Sequence, residues 1–251
     1  MAIHVFKTVE ELLMAMADYF VSTAKSSISS RRIFNVALSG GSSPKRLYEM
    51  LASPDFKHQV EWEKVNFFFG DERYVPADDP DNNALMVKKA LFDPLNIFSS
   101  NIFTINTSLS SEEAAKKYTL TIANHFKDQK IRFDLILLGL GDNSHTASLF
   151  PYNPVLADKS ASIRALFLEE QKVYRITMTA PLINQARHIA FLVYGKAKAE
   201  AVHHVLENEL NEKKYPAQLI RPDEGELRWY LDEAAASRLT KEFRSERQLK
   251  H

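Results

Sequence analysis

The chain has 251 residues and a mass of 28.7 kDa, with 45% hydrophobic and 25% charged residues. These are values of an ordinary soluble globular protein and exclude a disordered, collagenous or membrane-spanning chain. Lys and Arg number 32 and are matched by 32 Asp and Glu, which leaves no bulk positive field for nucleic acid or anionic lipid but allows a local basic pocket for one small anion.

With no cysteine in the chain, disulfides, thiolate metal sites and a thiol nucleophile are excluded. The amino-terminal apolar stretch Leu12 to Phe20 follows Glu10 and Glu11 and is interrupted by Asp18, which suits a surface helix rather than a secretion signal. No run approaches the roughly 18 apolar residues of a membrane span. A cytoplasmic protein is the expectation.

In chain order, Val9 to Ala24 has helical spacing, with Leu12, Leu13, Met16 and Phe20 on one side. Ile33 to Leu38 reads as a buried strand, and the loop Ser39-Gly40-Gly41-Ser42-Ser43 follows it. A helix then opens at Pro44, with Ser43 as N-cap and the proline at the first helical position. Val65 to Phe69 is a second strand, ending at Gly70-Asp71-Glu72-Arg73. Helices are expected over Asn82 to Phe92 and Ser110 to Phe126, the latter with Glu112 and Glu113 in its first turn. Phe133 to Leu138 is a third strand. Ser162 to Leu168 and Val173 to Met178 read as a hairpin, and His188 to Tyr194 as a buried strand. A helix follows from Lys196 to Leu210, then a strand over Leu227 to Leu231 and a short helix at Ala234 to Ala236. The tail from Lys241 mixes both signs and is expected to fray.

Apolar strands alternating with helices imply a parallel sheet covered on both faces. The expected architecture is a single Rossmann-like α/β domain over residues 1–251, with a small hairpin insertion around 150–180. In such sheets ligands bind beyond the carboxyl ends of the strands. The seven glycines mark those ends: six of them, Gly40, Gly41, Gly70, Gly139, Gly141 and Gly195, follow an apolar run.

Several signatures fail when counted out. The chain has no G-x-S-x-G and no G-x-x-x-x-G-K-[ST]. Gly139-Leu140-Gly141 lacks the third glycine of a dinucleotide fingerprint, and Ile163 and Arg164 stand where its acidic ribose partner would be. The histidines form no H-E-x-x-H pair, so a protein-held metal is not expected.

Four loops remain. Ser39-Gly40-Gly41-Ser42 can offer backbone N–H groups to an anion at a helix N-terminus. Gly70-Asp71-Glu72-Arg73 brings two carboxylates and a guanidinium beside a strand end, and Arg73 can clamp a phosphate. His145, in Gly141-Asp142-Asn143-Ser144-His145-Thr146, has an ordinary pKa of about 6.5, so its neutral imidazole can take a proton from water. Gly195-Lys196-Ala197-Lys198 adds ammonium groups. Taken singly, each loop is also compatible with a turn, a surface ion pair or a structural histidine. Together they point to a small phosphorylated substrate and acid–base chemistry.

These residues resemble the 6-phosphogluconolactonase family, within the wider group that includes glucosamine-6-phosphate deaminase. The matching segments are Leu38 to Pro44, Gly70 to Pro76, Gly139 to Gly141 with His145 to Pro151, Arg175 to Thr179, Gly195 to Ala199, and Pro216-Ala217-Gln218 with Trp229 and Asp232. The form Gly-Asp-Glu-Arg-x-Val-Pro is lactonase-like. Thr146-Ala147-Ser148-Leu149-Phe150-Pro151 stands where a deaminase would show Ile-Ala-Phe-Asn-Glu-Pro.

The resemblance implies hydrolysis of 6-phospho-D-glucono-1,5-lactone without metal or organic cofactor. It implies His145 as general base, and Gly40, Gly41, Ser42, Arg73 and Lys198 on the phosphate. Asp71 would bind sugar hydroxyls or orient the site, and Arg175 would support it from the hairpin. The family's third motif reads Gly-x-Asp-Gly-His. Here Asn143 takes the place of the orienting Asp, and Ser144 that of a Gly expected at positive φ. Two other readings stay open: a sugar-phosphate binding protein or sensor, recognised by binding without turnover, and an amino-sugar-phosphate isomerase or deaminase, recognised by ammonia release.

Overall fold

The structure, a computed structural model, describes residues 1–127 and 129–243. Its strands are β1 (Ala2–Phe6), β2 (Phe34–Leu38), β3 (Val65–Phe69), β4 (Asp71–Arg73), β5 (Leu135–Leu138), β6 (Ile163–Leu168), β7 (Val173–Met178), β8 (His188–Val193) and β9 (Glu226–Asp232). Its α-helices are α1 (Val9–Arg31), α2 (Ser42–Leu51), α3 (Asn83–Val87), α4 (Asp93–Leu95), α5 (Ser111–Phe126), α6 (Ala180–Ile183) and α7 (Ala199–Leu206). Six strands form a parallel sheet in the order β1-β9-β8-β5-β2-β3.

Strands β2, β3 and β5 are buried along their whole length, as a sheet covered on both faces requires. Strand β3 shows the alternation. Phe67 packs against Trp62 and Phe92, and Trp62 reaches Phe20 of α1. Its neighbour Phe68 faces Phe103, Phe126 and Phe133 instead. Helix α1 therefore covers one face, through Phe20, and α5 the other, through Phe126. The single α/β domain expected from the sequence is the fold observed.

The order in which strands are added reverses in the middle of this sheet. From β2 the chain steps outward to β3, whereas β5, β8 and β9 step the other way. The crevice of such a switch lies between the carboxyl ends of β2 and β5.

Helix α1 begins with a capping box between Thr8 and Glu11. It runs past Ala24 to Arg31 because Ser27 and Ile28 stay buried. Helix α5 opens as expected with a box between Ser110 and Glu113.

Other expectations are corrected. Helix α2 starts at Ser42, with Gly41 rather than Ser43 as N-cap and no side-chain cap bond. Pro44 is the third helical residue, not the first. It costs no hydrogen bond there, because the first intrahelical bond runs from the Lys45 N–H to the Gly41 carbonyl at 3.2 Å.

The helix expected over Asn82 to Phe92 breaks into α3, a π turn at Lys88–Phe92 and then α4. The segment after Gly195 enters through a 3-10 turn, Lys196–Lys198, before α7. Ala234 to Ala236 form turns, held by Asp232, whose Oδ1 accepts the Ala235 N–H at 2.7 Å. Strand β1 escaped the reading: it is a short edge strand alternating His4 with apolar residues. The charged tail beyond Phe243 lies outside the described residues.

The hairpin is not a free insertion. Strand β4 joins it in a three-stranded antiparallel sheet, order β4-β7-β6, with Asp71 opposite Thr177 and Arg73 opposite Arg175. Gly70 is the hand-over between the sheets. Its N–H donates to Leu38 of β2 at 2.9 Å, and its carbonyl accepts from Met178 of β7 at 2.8 Å.

Candidate active site

The loops after β2, β3, β5 and β8, with β7 of the small sheet, enclose a cleft of about 360 Å³. It is lined by Gly40, Gly41, Ser42, Asp71, Arg73, His145, Arg175 and Lys198, among others. Of the nine site residues named from the sequence, only Asn143 stands outside, directly behind His145.

The first wall is the turn from β2 into α2. Gly41 sits at φ +105, in the region that glycine alone enters readily. Gly40 is required by contact: a Cβ there would meet Asn83 Oδ1 at 1.7 Å. The turn leaves backbone N–H groups at the start of a ten-residue helix, an arrangement suited to a phosphate.

On β4 the alternation of a strand separates three polar neighbours. Asp71 and Arg73 line the cleft, while Glu72 points away and is buried. Its carboxylate accepts N–H bonds from Arg73 (2.9 Å), Asn83 (2.7 Å) and Ala84 (3.0 Å), fastening β4 to the start of α3. Asn83 returns the tie, its Nδ2 donating to the Asp71 carbonyl at 3.0 Å. Burial pushes the Glu72 carboxyl up to about 7, against those N–H bonds. Burial likewise raises Asp71, opposed by the Ser148 hydroxyl, which donates to its Oδ2 at 2.7 Å, and by the charges of Arg73 and Arg175.

His145 sits in the long loop after β5. Asn143 Oδ1 lies 2.6 Å from its Nδ1 and also accepts the His145 backbone N–H at 3.3 Å. The backbone N–H, a donor only, marks that atom as the amide oxygen, and an oxygen 2.6 Å away favours the tautomer with the proton on Nδ1 and the free lone pair on Nε2. A Cβ on Gly141 would come within 2.0 Å of Nδ1, and the Phe150 ring stacks on the imidazole at 4.1 Å between centroids. Burial, reinforced by the Lys198, Arg175 and Arg73 charges and opposed by Asp142, brings the His145 pKa down to about 4. Ser144 has φ +66, the strained conformation expected when a side chain replaces glycine at this point.

Lys198 enters from the turn after β8, where Gly195 at φ +94 donates its N–H to Asp232. Its ammonium pairs with Asp142 at 2.6 Å. Arg73 donates to the Asp81 carbonyl and Arg175 to Gln171.

Ser148, Asn83, Gln171 and Phe150 line the cleft and were not singled out from the sequence. Nothing local marked Asn83, since its neighbour Asn82 carries the cap of α3. No group of three or more His, Asp or Glu side chains among the described residues is placed to hold a metal ion, and no helix there is long and apolar enough to cross a membrane.

The whole constellation has known counterparts. A sequence profile for "Glucosamine-6-phosphate isomerases/6-phosphogluconolactonase" matches residues 7–229. A 6-phosphogluconolactonase of Synechocystis sp. is 40% identical over 92% of this chain and 95% of its own length. A probable 6-phosphogluconolactonase of Arabidopsis thaliana is 33% identical over 94% and 93%. The solved 6-phosphogluconolactonase of Trypanosoma brucei superposes with a TM-score of 0.84 at 30% identity, covering 95% of this chain and 98% of that one. A monomeric glucosamine-6-phosphate deaminase, 22% identical with a TM-score of 0.81 over 94% and 99%, shares the fold. With cleft, loops and full-length likeness in agreement, this chain belongs to the glucosamine-6-phosphate isomerase/6-phosphogluconolactonase family.

Proposed function

We propose that this chain hydrolyses 6-phospho-D-glucono-1,5-lactone to 6-phospho-D-gluconate, in the oxidative branch of the pentose phosphate pathway. The observation that carries the reading is a neutral imidazole, fixed with its free nitrogen at Nε2, sharing one cleft with a glycine-rich helix start and three cations. The curated relatives bear the name of this activity over nearly their full lengths.

The 6-phosphate is held by the backbone of Gly40 and Gly41, by Ser42, and by Arg73 and Lys198. Lys198 then exchanges its Asp142 partner for the phosphate. Arg175 backs this group from β7, and Asp71, oriented by Ser148, accepts from sugar hydroxyls. His145 Nε2 takes a proton from water as the water oxygen bonds to the lactone carbonyl carbon. The ring C–O bond then breaks, and the imidazolium returns its proton to the departing oxygen. The new carboxylic acid ionises at neutral pH, so the balance is lactone plus water to carboxylate plus one proton. General base catalysis of this kind supplies about 10²–10⁴-fold, and anchoring by the phosphate adds positioning. Asn143 favours the Nδ1–H tautomer but, unlike an Asp, offers no charge to the imidazolium.

Turnover of freshly generated lactone, corrected for its spontaneous hydrolysis, tests the reading. The expected result is turnover far above background. Binding of 6-phosphogluconate without turnover would convert the protein into a sensor, and ammonia release from glucosamine 6-phosphate into a deaminase.

A further inference from the structure

We infer that Phe150 is a positioning residue for His145: it covers one face of the imidazole and locks the ring so that Nε2 is presented to the cleft. The inference rests on the proposed hydrolysis for its kinetic meaning but on geometry for its content.

Asn143 alone does not fix the ring. A single hydrogen bond at Nδ1 still leaves the ring room to swing about its Cα–Cβ and Cβ–Cγ bonds. The Phe150 ring removes that freedom, lying 19° from parallel with the imidazole at a centroid distance of 4.1 Å. The backbone of Gly141 closes in on the Nδ1–Cε1 side, where even a Cβ would overlap the ring. Proton transfer at Nε2 needs a defined direction, and displacement of a reacting group by about 1 Å can cost on the order of 10²-fold.

The chain also bends to bring Phe150 there. Thr146 and Leu149 form an isolated antiparallel bridge, with the Leu149 N–H donating to the Thr146 carbonyl at 2.9 Å. Ala147 at the bend takes φ +47, a conformation that disfavours any residue with a Cβ. The loop therefore accepts backbone strain to double back, and the residue delivered onto His145 is Phe150. Immediately beyond, the Asn153 N–H donates to the Phe150 carbonyl at 3.2 Å and the Tyr152 N–H to Lys213 at 2.9 Å, holding the return segment down. Strain maintained beside a reacting group is a mark of function.

Two variants that keep apolar volume but remove the flat face, Phe150→Leu and Phe150→Met, test this beside Phe150→Tyr, which keeps the face. Lactone hydrolysis gives kcat and KM, and nitrogen-15 NMR of His145 gives the tautomer in the absence of substrate. The expected outcome is a fall of about 10-fold in kcat with KM within 2-fold for Leu and Met, and recovery to at least half of the original kcat in Tyr. His145 should be a single Nδ1–H tautomer in the unaltered protein and a mixture in Leu and Met. Unchanged kcat and tautomer in Leu and Met would overturn the inference. So would a rise in KM equal to the loss in kcat with the tautomer intact, which would make Phe150 a substrate contact. If the unaltered protein shows no lactone turnover, the functional reading fails, while the tautomer comparison still decides the role of Phe150.

Discussion

Two histidines occupy opposite ends of the same sheet, and each has an asparagine oxygen on one ring nitrogen and phenylalanine against the ring. At the amino end, His125 Nε2 lies 2.8 Å from Asn35 Oδ1, with Phe68, Phe103 and Phe126 edge-on around it. The same Asn35 oxygen accepts from Asn66, and the Asn35 N–H donates to Asp134, itself paired with Arg31 at 2.7 Å. Most polar side chains there find partners in one another, the exception being Arg187 Nε, which lies 3.4 Å from Asp134 without a hydrogen bond.

At the carboxyl end the ledger is left open. Ser39 Oγ, Asn83 Oδ1 and Ser144 Oγ are buried without a hydrogen-bond partner, and Arg73, Arg175 and Lys198 converge on one cleft. Burial lowers the pKa of both rings, but only His145 has neighbouring cations that lower it further. An Asn-bound, Phe-flanked histidine is thus a structural or a reactive device according to what the surrounding polar groups still lack.

The sharpest test of that contrast is to truncate both rings. His145→Ala is expected to lower kcat by about 10²–10⁴-fold and leave the KM for the lactone nearly unchanged. His125→Ala should keep its activity and lose about 1–3 kcal/mol of stability, because it strips a partner from a buried amide oxygen; denaturant melts alongside the kinetics would show both. Removing a cation instead, with Arg73→Ala or Lys198→Ala, should raise KM about 10–100-fold with a smaller effect on kcat, as loss of a charge-assisted contact of about 1.5–3 kcal/mol requires.

The pH dependence separates the histidines without mutation. With a pKa of about 4, His145 stays neutral down to pH 5, so kcat/KM should hold level through the region near 6.5 and fall only as the pH approaches 4. The sign for folding follows. A histidine whose folded pKa is depressed binds fewer protons folded than unfolded, so its share of stability is full above 6.5 and drains away between 6.5 and 4. A midpoint near 6.5 in the rate profile would break the assignment of a buried, cation-flanked base.

Asn143→Asp should raise kcat less than 10-fold and move the acid limb upward, because a carboxylate favours the imidazolium; a fall in kcat would mark the amide as an adaptation of this site. The smallest effect is expected from Ser144→Gly. Relief of the φ +66 conformation should add about 1 kcal/mol of stability, read as a rise of a few degrees in Tm.

Much of this was legible beforehand because the signals were local. An all-apolar run such as Leu135–Leu138 reads as a buried strand without further context, and a rare glycine after such a run marks the sheet's carboxyl edge. The relation between distant segments was not legible. Nothing near Asp71 announces that it will pair with Thr177, a hundred residues on, or that the hairpin completes the cleft wall. Glu72 was grouped with Asp71 in the motif, and only the pleat of β4 shows that it serves α3 instead. At α2 the local rule chose the wrong residue, since Ser43 and Pro44 read as a good cap and first turn while Gly41, at φ +105, caps a helix that starts two residues earlier, at Ser42. His145 was singled out from its loop, but the atom it offers was not, because that depends on the Asn143 side chain folding back onto the ring.

The register of the small sheet places Arg73 directly across from Arg175. Like charges facing each other on paired strands repel, and here burial and the Arg73 charge already hold the Arg175 pKa below its ordinary value. The empty protein therefore carries a standing repulsion at the mouth of its own cleft. On the proposed assignment a phosphate dianion held by Arg73 would offset it, and, as for any ligand that binds only the folded state, concentrations about 100-fold above Kd would add roughly 2.7 kcal/mol against unfolding. In a cell such a protein would endure longest when its metabolite is plentiful, and its lifetime would follow the flux it serves.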